Sequence, residues 1–393
     1  MLPINWKAKV AEQLETFIGF RHHIHAHPEL SFQEYQTAEF IASHLRDWGI
    51  SFQSGLAGTG IVALIEGKNP SSRVIALRAD MDALPIQEMN EVPYKSTNAG
   101  VMHACGHDVH SACLLGTAKL LQETRADWEG TVKLIFQPGE EKHPGGASLL
   151  IKEGVLENPK PSAIVALHVY PHLPYGQLGF RAGQYMASAD EIYITVKGRG
   201  GHAALPHQTI DPIVIAANML VGLQTVISRA CNPLSPSVLS FGKIQGGVAG
   251  NVIPDEVRLE GTLRCFDETW RAKAHELIKT QAVGICKSMG GDAEVEIPMG
   301  YPSLFNDPGL TEKVRSVATQ VVGESNVIDL DLRMAAEDFS FYTHQVPGCF
   351  FRLGTSHSGQ FEKPVHNAGF DIYDEAIGIG VQMFCEVATR LVL

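Results

Sequence analysis

The stretch Met102-His103-Ala104-Cys105-Gly106-His107-Asp108-Val109-His110 brings three imidazoles, a thiol and a carboxylate into one short segment. Cys105 and His107 stand two apart with Gly106 between them, so a tight loop could aim a thiolate sulfur and a ring nitrogen at one point. Both donors suit Zn²⁺ and similar transition ions. A Cys and a His this close also pack in cores or cap helices, and the pair alone does not choose between these roles. A second set is Phe136-Gln137-Pro138-Gly139-Glu140-Glu141. Adjacent carboxylates in a turn point in different directions, so one can hold an ion while the other faces a substrate as a base. The competing reading is a solvated acidic loop.

His168 closes an apolar run, and His366 lies in Pro364-Val365-His366-Asn367. Each by itself reads as a satisfied core or capping histidine. Taken together, Cys105, His107, Glu141, His168 and His366 would suffice for two ions that share one bridging ligand. Asp80 and Asp82 follow another apolar run. Asp82 is a candidate for the carboxylate that accepts the second ring N–H of a ligand histidine and fixes its tautomer, with a turn-capping role as the alternative. The histidine-rich RHHIHAHPEL segment falls at a helix end, where imidazoles cap carbonyls and oppose the dipole. That segment is read as structural, as are His103 and His110.

The elements that must position these groups follow from periodicity. Apolar residues at helical spacing run over 6–25 and 37–48, and short β-rich runs cover 61–65, 74–78, 132–136 and 164–168. Helical patterns at 109–122 and 147–152 lie between the later runs. This βαβ alternation predicts an α/β catalytic domain whose central sheet is mostly parallel and flanked by helices. In such sheets ligands bind beyond the carboxyl ends of the strands, where Asp80, Asp82, Glu140, Glu141 and His168 fall.

After Gly183 the pattern changes. Residues 191–197 alternate, 209–229 and 269–288 read as long helices, and 237–244 and 256–266 read as strands. Residues 183–297 are therefore expected to form an inserted, smaller α+β domain, with 1–182 and 298–393 forming the catalytic domain. In the inserted domain His202 follows a Gly-rich bend, Asn251 sits on a loop and Arg264 in a strand. Arg suits bidentate capture of a carboxylate, and His and Asn can donate to a developing oxyanion. Ordinary turn glycines and a surface Arg would account for the same pattern.

Composition excludes several classes. The 393 residues are too many for one core, and 45% hydrophobic with 19% charged residues describes a folded protein with a large interior. A net charge of −12 without a run of Lys or Arg argues against a nucleic-acid partner. No membrane partner is expected, since neither a secretory h-region nor a span of some 20 apolar residues stands out. The seven cysteines are scattered, odd in number and without a CxxC pair. That is not a secreted disulfide framework, and it points to the cytoplasm.

In order, RHHIHAHPEL, RADMDALP, HACGHDVH, FQPGEE, ALHV, GGHAALPHQTIDPI, GNVIPDEVRLEGTLR, AAEDF and VHNAGFD resemble the metal-dependent amidohydrolases of N-acyl amino acids. That group includes hippurate hydrolase, auxin-conjugate hydrolases and N-acetyl-amino-acid deacetylases. The resemblance spans nearly the whole chain. It implies a dinuclear site ligated by Cys105, His107, Glu141, His168 and His366, with Glu140 deprotonating a metal-held water and returning the proton to the leaving amine. It also implies a homodimer or homotetramer whose smaller domain dimerises and closes over substrate. His202 would reach the partner's active site, and Asn251 and Arg264 would hold the substrate's carboxylate and carbonyl oxygen. Mn²⁺ is the expected ion, with Zn²⁺, Co²⁺ and Ni²⁺ as alternatives. The rival activities are a metallo-dipeptidase or aminopeptidase on the same site and an amidase with Cys105 as nucleophile.

Overall fold

The computed structural model describes residues 4–391, which form two compact units. The larger holds the described residues up to Gly183, then Phe305–Asp331 and those from Asp338 on. Its eight-stranded sheet runs in the order Ser51–Leu56, Gly60–Glu66, Thr131–Gln137, Val74–Asp80, Ala163–Pro174, Gly348–Ser356, Leu178–Phe180, Val327–Asp329. The four central strands from Thr131–Gln137 to Gly348–Ser356 pair in parallel. These strands are buried on both faces along most of their length, as the near-continuous apolar runs of a helix-covered parallel sheet require. The neighbouring edge is antiparallel. A three-residue link, 57–59, with Ala57 at φ 49° and Gly58 at φ 100°, can join only antiparallel strands. Ser51–Leu56 is largely exposed, so it carries no apolar pattern to read.

Helix Trp6–Ala26 turns Trp6, Val10, Phe17, Phe20 and Ile24 into the core, with Arg21 and His25 on the same face. Helix His107–Glu123 is buried along almost all of its length. Gly116 lets Phe17 and Val381 approach to 3.0 Å of where a Cβ would stand, packing this helix against Trp6–Ala26 and Ala376–Arg390. Gly106 is required twice over. Its φ of 90° favours glycine, and a Cβ would lie 2.4 Å from Val169. The Cys105-Gly106-His107 loop can therefore press onto the strand that bears His168.

The smaller unit comprises Gln184–Leu304 and Leu332–Glu337. An antiparallel sheet in the order Ser237–Gln245, Glu256–Cys265, Asp190–Lys197, Asp292–Glu296 packs with helices Pro212–Thr225 and Glu268–Ser288 around Ile192, Ile194, Met219, Leu223 and Ile278. Asp211 accepts from Ile213 N and Val214 N, with Pro212 next to it. This N-cap starts the helix three residues later than its apolar pattern suggests. A π-helical turn, Val226–Ala230, ends it. The stretch Pro212–Ala230 is long and apolar enough to cross a membrane, which the sequence reading did not anticipate. One side of it, Ile215, Ala216, Met219, Leu223 and Val226, is buried in this unit's core, while Ile213, Val214 and Val221 are exposed.

The return to the larger unit comes after Leu304, later than the expected 298, and residues 332–337 belong to the smaller unit. Arg333 N donates to Tyr185 O and Ala187 N to Arg333 O, both at 3.0 Å. Pairing between segments so far apart in sequence leaves no local pattern.

Candidate metal centre

Five side chains of the larger unit converge from four segments. Cys105 and His107 open helix His107–Glu123, Glu141 lies in the turn after Thr131–Gln137, and His366 sits in a loop. His168 lies within strand Ala163–Pro174 and not at its end as its apolar run suggests. Cys105 Sγ is 3.5 Å from His168 Nε2, and His366 Nε2 is 3.0 Å from Glu141 Oε1. The donor atoms of Cys105, His107 and His168 lie within 4.8 Å of one another, as do those of Cys105, Glu141 and His366. Cys105 belongs to both groups, which is the arrangement a bridging ligand needs. Glu140 joins a third group with His107 and Glu141.

The orientation of the rings tests whether a cation fits. His107 Nδ1 meets Asp82 O at 2.9 Å and Asp82 Oδ1 at 3.1 Å, so Nδ1 carries the proton. Its buried Nε2 has no hydrogen-bond partner among the described residues. His168 Nδ1 donates to Val169 O at 2.8 Å, which turns its Nε2 towards Cys105. A carboxylate or carbonyl on one nitrogen and an unshared pair on the other is the arrangement of metal-ligating histidines. One sulfur, three nitrogens and a carboxylate suit two borderline divalent ions, so the residues fit. His366 holds φ 65°, a strained conformation for a side chain with a Cβ, and its N–H donates to Ala104 O at 2.7 Å. The loop is thereby tied to the residue preceding Cys105.

The local electrostatics favour added positive charge. Hydrogen bonding to Cys105 and Glu141 pushes His366 up to about 10. Burial, reinforced by the Glu141 carboxylate, raises the Cys105 thiol. Burial opposes the protonation of His107, yet Asp80 and Cys105 together raise it well above its ordinary range. His168 is pushed down by burial and by Arg352.

Behind the donors stands a layer of buried acceptors. Asp82 Oδ2 accepts from Ser31 Oγ at 2.6 Å and Glu141 N at 3.0 Å. Asp80 accepts from Arg78 at 2.5 Å and from His110 Nδ1 at 2.6 Å. His110 Nε2 accepts from Val169 N at 3.0 Å, so both its nitrogens are engaged within the protein. Against the cost of burial, Arg78 and the two histidines hold the Asp80 carboxyl well below the usual range. His103 is buried, and that burial pushes it down to about 3.

His202, Asn251 and Arg264 lie in the smaller unit. Strand Gly201–His202 pairs with Val252–Ile253, and Ala203 N donates to Asn251 O at 3.0 Å, so His202 and Asn251 are neighbours on an exposed ribbon. Ala204 N donates to His202 Nδ1 at 3.1 Å, leaving Nε2 as the N–H of the neutral ring. Arg264 sits opposite Val238 in the sheet. It has no ion-pair partner within 4.0 Å among the described residues.

The model of peptidase family M20/M25/M40 matches residues 76–390. The chain belongs to that family. It is 40% identical to the N-acetyl-L-cysteine deacetylase of Bacillus subtilis over 377 residues, 96% of this chain and 88% of that one. To the N-acyl-L-amino acid amidohydrolase of Geobacillus stearothermophilus it is 43% identical over 300 residues, 76% of this chain and 80% of the relative. Among solved structures it resembles a Bacillus subtilis protein described as a dinuclear metal-binding peptidase of the M20 family. The TM-score is 0.83 at 35% identity, with 96% of this chain and 98% of that one covered.

In this M20 chain the RHHIHAHPEL segment does something other than cap carbonyls. Only His27 does that, through Nδ1 to His23 O. Arg21 instead joins Asp108 at 2.9 Å, Asp371 at 2.6 Å and Asp374 at 2.8 Å. His25 bridges Asp108 and Glu88, and His22 pairs with Asp374. The cluster ties the residue after His107 to the segment after His366. One signal was available in the sequence: Arg21 and His25, four apart, fall on the helix's apolar stripe, where a charge must be paired to be tolerated.

Proposed function

We propose that this chain hydrolyses the amide bond of N-acyl amino acids, releasing a carboxylic acid and the free amino acid. The observation that carries the reading is the shared Cys105. Two sets of donor atoms meet at its sulfur, with Glu140 beside them, in a chain 40% and 43% identical to a deacetylase and an amidohydrolase of N-acyl amino acids. Cys105, His107, Glu141, His168 and His366 would hold two divalent ions, with Mn²⁺ the first to load and Zn²⁺, Co²⁺ and Ni²⁺ as comparators. Once bound, such ions acidify a water and polarise the scissile carbonyl.

The chain's own residues do the rest. Glu140 accepts the proton from the attacking water and delivers it to the departing nitrogen. His202, reaching the active site of a second copy, donates its Nε2–H to the oxygen that gains charge, and Arg264 and Asn251 help to hold the substrate's carboxylate and carbonyl oxygen. The smaller unit pairs two copies into a homodimer. Support for this comes from Ser237–Gln245, an edge strand of its sheet, and from the exposed Val238, Ile244, Ile213, Val214 and Val221. Seven free cysteines support a reducing, cytoplasmic setting.

The test uses metal-stripped protein, reloaded or not, on a panel of N-acetyl and N-benzoyl amino acids and free dipeptides, with Glu140→Gln alongside. Release of amino acid only from the reloaded protein and only from acylated substrates is expected. Glu140→Gln should lose ~10²–10⁴-fold in kcat while keeping its metal. Hydrolysis of free dipeptides alone would replace this reading with the peptidase, and activity without metal would replace it with the Cys105 nucleophile.

A further inference from the structure

The turn that carries Glu140 and Glu141 is held through its backbone by three carboxylates. Gly139 N donates to Glu34 Oε1 at 2.9 Å, Glu141 N to Asp82 Oδ2 at 3.0 Å and Ala147 N to Asp338 Oδ2 at 3.0 Å. All three carboxylates are buried. Two have further partners that explain their charge. Asp82 receives His107 and Ser31, and Asp338 receives Arg78 and Gln137.

Glu34 is different. Its Oε1 also accepts from Phe32 N at 2.8 Å, and its Oε2 accepts from Thr59 Oγ1 at 2.6 Å. No cation lies within 4.0 Å of it among the described residues. It stands at the N-cap of helix Tyr35–Asp47, where the dipole favours a negative charge only modestly. Burying a carboxylate without a counter-ion costs more than that dipole returns, and burial does raise the Glu34 pKa. Stability alone therefore gives no reason for a glutamate here.

A second oddity converges on the same peptide. Phe32 holds φ 64°, which a residue with a Cβ adopts only at a cost. In that conformation its ring covers Gly139 so closely that a Cβ there would be 2.4 Å from it. An unpaired carboxylate and a strained aromatic thus clamp the residue immediately before Glu140, one through its N–H and the other over its Cα.

We propose that Glu34, with Phe32, is a positioning residue for Glu140, fixing the Gly139–Glu140 peptide so that the base meets its proton in the reactive geometry. The inference rests on the reading of Glu140 as the base. Displacing a reacting group by about 1 Å costs on the order of 10²-fold in rate. Glu34→Ala should therefore lower kcat ten- to a hundredfold, with KM within about twofold and metal content unchanged. Glu34→Gln keeps the shape and can accept from both amides while Thr59 rotates to accept from it, so it should recover most of that loss.

The experiment measures kcat, KM, bound metal and melting temperature for Glu34→Ala, Glu34→Gln and Glu140→Gln as reloaded holoenzymes on an N-acetyl amino acid. If Glu140→Gln turns over normally, the reading of the base fails, whatever Glu34 does. If Glu140→Gln is inactive and folded, metal-loaded Glu34→Ala has a kcat within twofold of the parent, the positioning inference is overturned. Loss of metal together with kcat would also overturn it. Should Glu34→Ala not fold, Glu34→Asp, too short to reach Gly139 and Thr59 together, is judged by the same criteria.

Discussion

Replacing Arg21 with Met removes a charge from the interior and keeps most of the volume. The guanidinium is fully buried and touches three carboxylates, of which Asp108 is also fully buried. Burial works against a charge on Asp108, but Arg21 and His25 outweigh it and hold the carboxyl far below its usual range. In the variant Asp108 keeps only the His25 ring at 2.8 Å, and its Oδ1 already lacks a partner. Breaking a buried pair from one side costs ~3–5 kcal/mol, which for a unit of this size lowers its melting temperature by roughly 10 °C. A carboxyl with a depressed folded pKa contributes its stability above the unfolded value of ~3.9 and loses it as pH falls through the folded pKa. In the variant the folded pKa rises, so the deficit should be full at neutral pH and narrow on acidification, once protonation relieves the stranded charge. Calorimetry at several pH values gives the measurement. Fluorescence assigns the transition, because Trp6, Trp48 and Trp128 report on the larger unit and Trp270 on the smaller. A shift at pH 7 under ~3 °C, or a deficit that grows on acidification, would refute the reasoning.

Other expectations concern the chemistry. His202→Ala should lose ~10²–10³-fold in kcat at unchanged metal content, as removal of an oxyanion donor does, and unaltered kcat would remove His202 from the reaction. Arg264→Met should raise KM for N-acyl amino acids by about 10–150-fold, the worth of a charged hydrogen bond, but leave N-acyl amino acid amides alone; equal effects on both would argue against carboxylate capture. Cobalt-loaded protein should show a thiolate-to-metal charge-transfer band that vanishes in Cys105→Ser. A band that survives the substitution would exclude Cys105 as a ligand.

The residues of the candidate metal centre could be picked out of the sequence because their types are few and their spacing local. Cys105-Gly106-His107 needs only one left-handed glycine to bring two donors together, and the Glu140-Glu141 turn follows an apolar strand whose end can be read by eye. The parallel core was legible for the same reason, since strands buried on both faces must be apolar throughout. What escaped was non-local or exposed. Ser51–Leu56 faces solvent and has no pattern, and residues 332–337 join the smaller unit only through hydrogen bonds to 185–187. His168 lies inside its strand because pairing with Gly348–Ser356 continues beyond the apolar run.

The sequence by itself determined which groups could react and which segments had to be buried, because residue chemistry and periodicity are local properties. Tertiary structure alone decided which of the histidines offer a nitrogen. His107 and His168 spend one ring nitrogen on the protein and keep the other, whereas His110 spends both, on Asp80 and Val169. Imidazole is the same group in all three positions, and its role is set by acceptors and donors that arrive from distant strands.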